Sequence, residues 1–273
     1  MKCCPRRKGD FALTASSSVR KGIRQGTFTG STAGFCEGFI QANLVILPSN
    51  LASDFIGYCT SNPKPCPLIA VGDRGNPEFT QAGKGIDIRS DVPSYLVYRN
   101  GRFDAELVLI LELWEDDFIA FALGCSHSFE HALVRADIPM RHIEKDIVVP
   151  MFRTNVETKS SGVFSGRLVV SMRPIAANLA DQAVSISSRY PHSHGAPVHI
   201  GKPTEIGITD LDLPEWGSRV PIAADEVPVF RACGVTSQQA IQRARPRIAI
   251  THRPGSMLIT ELAEDAILSI PVL

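Results

Sequence analysis

Residues 227–251 read VPVFRACGVTSQQAIQRARPRIAIT, and this stretch decides the expected fold. Apolar runs at 227–232 and 248–251 predict buried strands. The alanine-containing segment between them, over about 237–245, predicts a helix. A strand, a helix and a second strand in succession form the unit from which helix-covered sheets are built.

The preceding part of the C-terminal half repeats this order. An apolar run over 168–172 predicts another strand, and the alanine-rich segment over about 177–188 predicts the helix that follows it. The alternation predicts an α/β fold with a mainly parallel sheet that is covered by helices on both faces. The region over about 95–165 is richer in predicted strands and is expected to form a smaller α+β insert.

Further elements are predicted in the N-terminal and middle parts. After an apolar run over 39–48, Ser49 is expected to cap a helix that ends at Asn62, because Pro63 follows it. Asn100-Gly101 predicts a hairpin turn. The remaining expected elements are strands over 68–71, 95–98, 106–114 and 147–149, and helices over 115–123 and 128–136.

Length, charge and cysteine content limit the class of protein. The chain has 273 residues, and we expect one domain over 16–265 with flexible tails over 1–15 and 266–273. A formal net charge of zero argues against general binding of nucleic acid or anionic membranes. The absence of a signal-peptide or membrane-spanning pattern predicts a cytoplasmic protein. Seven cysteines without a CxxC pair argue against a disulfide framework or a structural zinc site.

Two loops in the first third of the chain carry charges suited to a carboxylate ligand. In NPKPCP, three prolines restrict the backbone around Lys64, which lowers the entropy cost of placing its ammonium group. In DIRSD, an extended backbone would place Asp87, Arg89 and Asp91 on one face. A rigid turn with a solvated lysine, and an exposed ion pair, are the competing interpretations.

The segment GCSHSFE, residues 124–130, follows a predicted helix and precedes another. A helix that begins near Ser128 would offer an anion site at its N-terminus, with Ser126 among the ligand-binding groups. The helix dipole would favour ionised Glu130 and lower the pKa of the Cys125 thiol. Simple capping of the helix by the serines explains the same pattern.

Arginines beside apolar strands form a third group of candidates. Arg153, Asn155 and Arg173 lie in or next to predicted strands, and a guanidinium group can bind a carboxylate with two parallel hydrogen bonds. Surface solubility is the alternative explanation for each arginine taken alone.

The segment YPHSHGAPVH contains three histidines close together. In a strand His192 and His194 would share a face, with His199 nearby, so a metal site is one hypothesis. A catalytic metal needs at least three placed ligands and an open position, and no HExxH motif is present. We therefore predict no cofactor, with a divalent metal not indicated, and favour histidines that form hydrogen bonds or exchange protons.

Polar residues also follow the two strands of the opening stretch. If those strands are parallel neighbours, Cys233, Thr236 and His252 would meet at their carboxyl ends, where open α/β sheets bind ligands. Thr236 could equally cap the following helix. The chain has no Walker loop, no GxSxG elbow and no GxGxxG motif opening a helix, so no nucleotide dependence is indicated.

These loops together resemble the hydro-lyase family that is also described as the D-glutamate cyclase family. The resemblance extends from about residue 17 to residue 262. It is carried by segments 41–48, 62–67, 87–91, 124–130, 149–155, 169–174, 194–201, 232–236 and 251–255. It implies a layered α/β/α sandwich as the main domain, with a smaller insert, and an enzyme of the lyase class.

Three positions depart from the usual family pattern. His127 stands where phenylalanine is common, Arg231 where tryptophan is common, and Ser237 where proline is common. If these side chains line the pocket, the choice of substrate is expected to differ.

The leading hypothesis is a carbon–oxygen lyase or cyclase that removes water from a small amino acid or carboxylate. Such a reaction needs a cationic clamp for the carboxylate and groups that exchange protons. The expected catalytic residues are Cys125, Glu130, His194, His199 and His252. The expected substrate-binding residues are Lys64, Asp87, Arg89, Ser126, Arg153, Asn155, Arg173, Cys233 and Thr236.

Three alternatives stay open at this point. One is a metal-assisted hydrolase that uses His192, His194 and His199. Another is a carboxylate-binding protein without enzymatic activity, and the last is a thiol-nucleophile enzyme that uses Cys125 or Cys233. The expected partner is a small carboxylate-bearing metabolite, not nucleic acid or membrane, and a homo-oligomer is left open.

Overall fold

The structure is a computed structural model that describes residues 15–264. The predicted C-terminal tail over 266–273, and residues 1–14 of the predicted N-terminal tail over 1–15, lie outside the described residues. The α-helices are α1 (Ser16–Arg24), α2 (Ala52–Ser61), α3 (Glu130–Arg135), α4 (Arg141–Glu144), α5 (Ala180–Ser188) and α6 (Val235–Ala244). The strands are β1 (Phe39–Pro48), β2 (Leu68–Val71), β3 (Tyr95–Arg99), β4 (Arg102–Leu107), β5 (Phe118–Gly124), β6 (Met151–Glu157), β7 (Arg167–Ala176), β8 (His199–Ile200), β9 (Glu226–Ala232), β10 (Ala249–His252) and β11 (Leu258–Ala263).

The strands form two sheets, and helices accompany them, so the α/β class is confirmed. The first sheet has the order β2-β5-β1-β10-β3-β4, with β11 also paired to β1. The second has the order β6-β7-β9-β8. The strands within 95–165 divide between the sheets, since β3, β4 and β5 belong to the first and β6 to the second. The extent of the predicted insert stays a prediction.

The prediction of a mainly parallel sheet is wrong. Each strand pairing described within residues 15–264 is antiparallel. The two strands of the opening stretch, β9 and β10, lie in different sheets, because α6 passes from one sheet to the other. An apolar run reports burial on both faces and carries no information on strand direction.

Strand β1 forms the centre of the first sheet and is buried on both faces. Leu44 and Ile46 pack into a core with apolar residues of the long 72–94 loop. Val45 and Leu47, on the opposite face, pack against α2 and α6. Helices therefore cover one face of this sheet, and the loop covers the other.

Several local expectations are corrected by the structure. Residues 115–123 were expected to be helical, but β5 pairs with β1 over seven positions there. The strand expected over 106–114 ends at Leu107, and the segment 147–149 is not a strand. Ser49 makes no side-chain cap and begins a short 3-10 turn before α2.

Other local expectations are confirmed. Helix α2 is followed by Asn62 as its C-cap, immediately before Pro63. Asn100 and Gly101 connect β3 to β4, and their φ angles of 51° and 76° are those that a tight hairpin turn requires. The helices expected after the strands of the C-terminal half are α5 and α6.

The second sheet has one apolar face and one that carries buried polar groups. Val170, Met172 and Phe230 belong to an apolar cluster on the outer face. Because side chains alternate along a strand, Ser171, Arg173 and Arg231 point to the other face, with Ser171 directly opposite Arg231 in the register. This polar face positions the candidate site. Within residues 15–264 no helix is both long enough and apolar enough to cross a membrane.

Candidate active site

A buried ion pair between Arg173 of β7 and Glu130 of α3 lies at the centre of the site. The two side chains are 2% and 1% exposed. Arg173 Nε donates to Glu130 Oε1 at 2.9 Å, and Nη2 contacts the same oxygen. Nη1 donates to Ser171 Oγ and Nη2 to Ser126 Oγ, both at 2.9 Å. Most of the donors of Arg173 are thus occupied by protein groups, so this arginine orders the site and has little capacity left for a ligand.

Glu130 has one occupied oxygen and one free oxygen. His142 Nε2 lies 3.1 Å from Oε1. Burial alone would raise the pKa of Glu130, but His142 and the Arg173 guanidinium hold it well below its usual range. Among the described residues, no hydrogen-bond partner contacts Oε2, although that atom is buried. A carboxylate with a free, solvent-shielded oxygen is suited to binding a cationic or N–H-bearing ligand group.

Arg231 of β9 is a second buried cation, and its donors are mostly free. The side chain is 0% exposed, and its Cζ lies 5.2 Å from the centroid of the Phe129 ring. Nη1 donates to the Gly195 carbonyl at 3.3 Å, whereas Nε and Nη2 have no partner within residues 15–264. Burial, with the nearby Arg173 charge, lowers the pKa of Arg231 to about 9, and Glu130 opposes that shift. Arg231 therefore remains charged at neutral pH.

The loop after α5 places His194 in contact with the Lys64 segment that follows α2. His194 has a left-handed backbone with φ 76°, and its Nδ1 donates to the Lys64 carbonyl at 2.9 Å. Since the carbonyl can only accept, the proton is on Nδ1 and the lone pair is on Nε2. Lys64 Nζ lies 3.5 Å from the Pro197 carbonyl. Burial and the charge of Arg231 lower the pKa of Lys64.

Two histidines of the cluster are neutral at pH 7. Burial lowers the pKa of His127 to about 4, helped by the neighbouring His142 and Arg173, although Glu130 acts in the opposite direction. Burial likewise lowers the pKa of His194 to about 4, against the effect of its bond to the Lys64 carbonyl. No partner within residues 15–264 contacts buried Nδ1 of His127. A cavity of about 10 Å³, the size of roughly one water molecule, lies beside His127 and Glu130.

Close backbone packing fixes these loops against the first sheet. A Cβ on Gly124, the last residue of β5, would lie 1.6 Å from the carbonyl oxygen of His192. A Cβ on Gly234, where α6 begins, would lie 2.3 Å from the side chain of Asn43. Asn43 Nδ2 in turn donates to the Gly124 carbonyl at 2.8 Å. Glycines are therefore required at both positions.

Comparison with known proteins agrees with the sequence resemblance. A family model described as D-glutamate cyclase matches residues 119–261, which include Glu130, Arg173 and Arg231. A relative from Dinoroseobacter shibae with the name "Putative hydro-lyase" is 52% identical over 257 residues, covering 94% of this chain and 85% of the relative. A similarly named relative from Thermoanaerobacter sp. (strain X514) is 53% identical over 249 residues, covering 91% of this chain and 94% of the relative.

The chain belongs to the D-glutamate cyclase family. The family that the sequence motifs indicated is thereby confirmed. A nitrogen repressor-like protein from Methanococcus jannaschii aligns with 89% of this chain and 96% of its own, at 8% identity and a TM-score of 0.38. That level of similarity does not establish a shared fold.

Five of the expected site residues lie together in the buried cluster. They are Lys64, Ser126, Glu130, Arg173 and His194. His252 lies nearby, with Nδ1 3.1 Å from the backbone nitrogen of Leu44, and burial lowers its pKa to about 4. The site-residue assignments stay predictions, but this geometry favours the five.

The expected thiols are protonated at neutral pH, and Cys125 is buried whereas Cys233 is partly buried. Burial raises the pKa of Cys125 to about 12 and that of Cys233 to about 11. Cys233 Sγ lies 3.5 Å from Met151 Sδ. The thiol form is a poor nucleophile, so the geometry does not favour the thiol-enzyme alternative. Thr236 Oγ1 accepts from the Val169 backbone nitrogen at 3.0 Å, which attaches α6 to β7.

The expected binding loop over residues 87–91 lies away from the cluster. Asp87 and Arg89 do not share an extended face with Asp91. They form a local pair at 2.8 Å on the turn-rich 72–94 loop, and Asp91 pairs with Arg24. The loop covers the opposite face of the first sheet from α2 and α6.

Arg153, Asn155 and His199 also lie outside the cluster. Arg153 is opposite Val169, four residues and about 13 Å along β7 from Arg173. Asn155 is exposed beside Gly207. The His199 ring lies 5.8 Å from Phe230, which is on the outer face of the second sheet.

The three clustered histidines of the sequence do not meet at one point. His194 contacts the Lys64 carbonyl, and His199 Nε2 contacts the Lys202 carbonyl at 2.8 Å. His192 and His194 do not share a strand, because Pro191–Ser193 is a 3-10 turn. No group of three or more His, Cys, Asp or Glu within 15–264 is arranged to hold a metal ion. The metal-hydrolase alternative thus has no geometric support.

Four residues of the cluster were not among the expected site residues. They are His127, His142, Ser171 and Arg231. Signals in the sequence pointed to two of them: His127 and Arg231 depart from the family pattern, and Arg231 interrupts the apolar run VPVFRA. A charged residue inside a buried strand is rare unless it is paired or functional.

Proposed function

We propose that this protein is a lyase that removes water from a small amino acid with a side-chain carboxylate, and that cyclisation of D-glutamate is the reaction to test first. The supporting observation is a pair of buried groups of opposite charge with unused hydrogen-bonding capacity. Among residues 15–264, no partner contacts the Nε and Nη2 donors of Arg231 or the Oε2 acceptor of Glu130. Family membership supports the reaction class.

The free donors of Arg231 favour an anionic ligand. A buried cation without a hydrogen-bond partner is unfavourable, and a carboxylate relieves this by accepting from two guanidinium N–H groups at once. The Lys64 ammonium would supply a second positive charge to the ligand. Its side chain lies close enough to Arg231 for the charge of Arg231 to lower its pKa. Arg173 cannot take this role as readily, because Glu130, Ser126 and Ser171 already occupy its donors.

The free oxygen of Glu130 favours a ligand with an amino group. An ammonium group would donate to Oε2 and be stabilised by the ionised carboxylate. A site with a free carboxylate oxygen and a free guanidinium group matches the charges of an α-amino acid. Glutamate has a further carboxylate, which the Lys64 ammonium would neutralise.

Cyclisation of glutamate requires two protons to move from nitrogen to oxygen. The substrate ammonium loses two protons, the nitrogen bonds to the side-chain carboxyl carbon, and one carbon–oxygen bond breaks to release water. The neutral imidazoles of His127 and His194 are the candidate carriers, with Nδ1 of His127 and Nε2 of His194 as acceptors. A bound carboxylate raises the pKa of a nearby histidine, which makes proton uptake easier once substrate is present. The adjoining cavity matches the size of the leaving water.

The direct test is detection of the product by mass spectrometry. Purified protein would be incubated with D-glutamate, L-glutamate and a panel of hydroxy acids, with and without divalent metal. Loss of one water from D-glutamate is the expected result. A thermal shift with one of these compounds, but no product from any, would support the carboxylate-binding alternative and contradict the lyase proposal.

A further inference from the structure

A groove with a volume of about 930 Å³ lies apart from the candidate active site. Its walls are the β3–β4 turn, the ends of β6 and β7 around Gly166, and the exposed side of α6. Gln239 and Gln242 of α6 contribute amide groups to the wall. The volume lies at the upper end of the range for small-molecule sites.

The groove has a strong local excess of positive charge. Its lining includes Arg99, Arg102, Arg153, Arg167, Arg243 and Arg245, with Glu157 as the acidic lining residue. Arg99 pairs with Asp104 and Arg167 with Glu157, each at 3.1 Å. The other four arginines form no ion pair with any residue from 15 to 264. Because the chain has a net charge of zero, this excess is a property of the groove and not of the whole surface.

We propose that this groove binds a small compound with a di- or triphosphate group. Arginine's planar guanidinium matches phosphate oxygens in two-point hydrogen bonds. Each of the three walls contributes arginines to the groove, and such an arrangement suits several negative charges on one compact ligand. The amides of Gln239 and Gln242 add neutral donors and acceptors for the part of the ligand next to the phosphates.

The groove site does not depend on the proposed lyase function. Helix α6 begins beside Asn43, near the candidate active site, and its C-terminal half lines the groove. Neither Arg231 nor Glu130 lines the groove, so a ligand bound there would be separate from the candidate active site. Binding can therefore be measured without any substrate.

The experiment is isothermal titration of the full chain with inorganic tripolyphosphate at low salt. The variant R243Q/R245Q removes two unpaired guanidinium groups from the groove, and R74Q/R189Q removes the same charge from exposed positions elsewhere. We expect the groove variant to weaken binding at least about tenfold, and the control variant to bind as the wild type does. Equal weakening by both variants, or no binding to the wild type, would overturn the proposal.

Further titrations with ATP, adenosine and a short single-stranded oligonucleotide identify the source of the phosphate group. Equal affinity for ATP and tripolyphosphate assigns recognition to the phosphates, whereas tighter binding of ATP assigns it to a nucleoside phosphate. Either result supports the proposal if the R243Q/R245Q variant binds ATP no more tightly than adenosine, which lacks phosphate. Tighter binding of a short single-stranded oligonucleotide than of tripolyphosphate, through the same arginines, would contradict a small-ligand site.

Discussion

Arg231 is the residue on which the functional proposal rests most heavily. It stands near the end of β9, in the buried half of the strand and opposite Ser171 in the register, and its Nε and Nη2 have no hydrogen-bond partner within residues 15–264. An unsatisfied buried charge lowers the stability of the folded protein. A residue of this kind is retained where binding of a ligand needs it, so stability and activity are expected to respond to its removal in opposite directions.

Replacement of Arg231 by methionine should stabilise the protein and remove its activity. Methionine has a similar length and no donors, so the free energy of unfolding is expected to rise by about 1–3 kcal/mol in urea denaturation. The rate of product formation should fall at least about a hundredfold.

An exposed arginine provides the matched control. Arg189→Met should leave both the stability and the turnover close to those of the wild type, because this side chain is on the surface. Loss of stability in Arg231→Met, with turnover retained, would show that Arg231 serves packing and not ligand binding.

The sequence predicted part of the buried cluster. Its predicted members are Glu130, Arg173, Ser126, His194 and Lys64, which are polar residues in rigid loops or beside apolar strands. Sequence reasoning assigned Arg173 to the ligand, whereas its contacts with Glu130 and two serines leave it little free capacity. Which of two arginines is already paired depends on residues distant in sequence, and that information is absent from local patterns.

Among the elements, the loop after α5 depends on close contact with the end of β5. The main chain at His192 approaches Gly124 so closely that no side chain fits. The same loop positions His194 over the Lys64 carbonyl. Its placement is thus determined by backbone packing more than by side-chain hydrogen bonds.

Substitution of Gly124 by alanine should displace this loop. The added Cβ would lie 1.6 Å from the His192 oxygen, so we expect a loss of at least about 2 kcal/mol in the free energy of unfolding, with reduced turnover. Gly30→Ala is the control, since within residues 15–264 no atom beyond its chain neighbours would lie within 4 Å of the added Cβ, and a change within about 0.5 kcal/mol is expected. Equal effects of the two substitutions would contradict the role given to Gly124.

The positions of most elements were predictable, whereas their pairing was not. Alternating and apolar patterns located β7, β9, β10, α5 and α6. The direction of the strands was wrong because a strand buried on both faces looks the same in parallel and antiparallel sheets. Residues 115–123 were expected to be helical for a related reason: a short apolar run does not distinguish a helix from a buried strand.

Three neutral histidines make the stability of the protein depend on pH: His194 and His252 are buried, and His127 is partly buried. His127, His194 and His252 each have a pKa of about 4 in the folded protein and an ordinary value of 6.5. Between these values the unfolded chain binds the protons that the folded chain rejects. The free energy of unfolding is therefore highest above about pH 6.5 and falls as the pH decreases to about 4. Below about pH 4 these three groups cause no further change.

The free energy of unfolding should fall between pH 7 and pH 5 by roughly 2 kcal/mol for each of these histidines. Asparagine can replace the contact of His252 with the Leu44 backbone but does not titrate. Urea denaturation of His252→Asn at the two pH values should therefore show a fall that is smaller by about 2 kcal/mol. A variant with the full wild-type fall would show that His252 does not contribute.

The measurement that tests amino-acid recognition most directly is the dissociation constant of D-glutamate and of glutarate, which lacks the amino group. Wild-type protein should bind D-glutamate more tightly than glutarate, because only D-glutamate can donate to Glu130 Oε2. Arg231→Met should weaken the binding of each ligand at least about tenfold, since both ligands carry carboxylates. Unchanged binding of both ligands in Arg231→Met, or equal wild-type affinity for the two, would contradict recognition of an amino acid between Arg231 and Glu130.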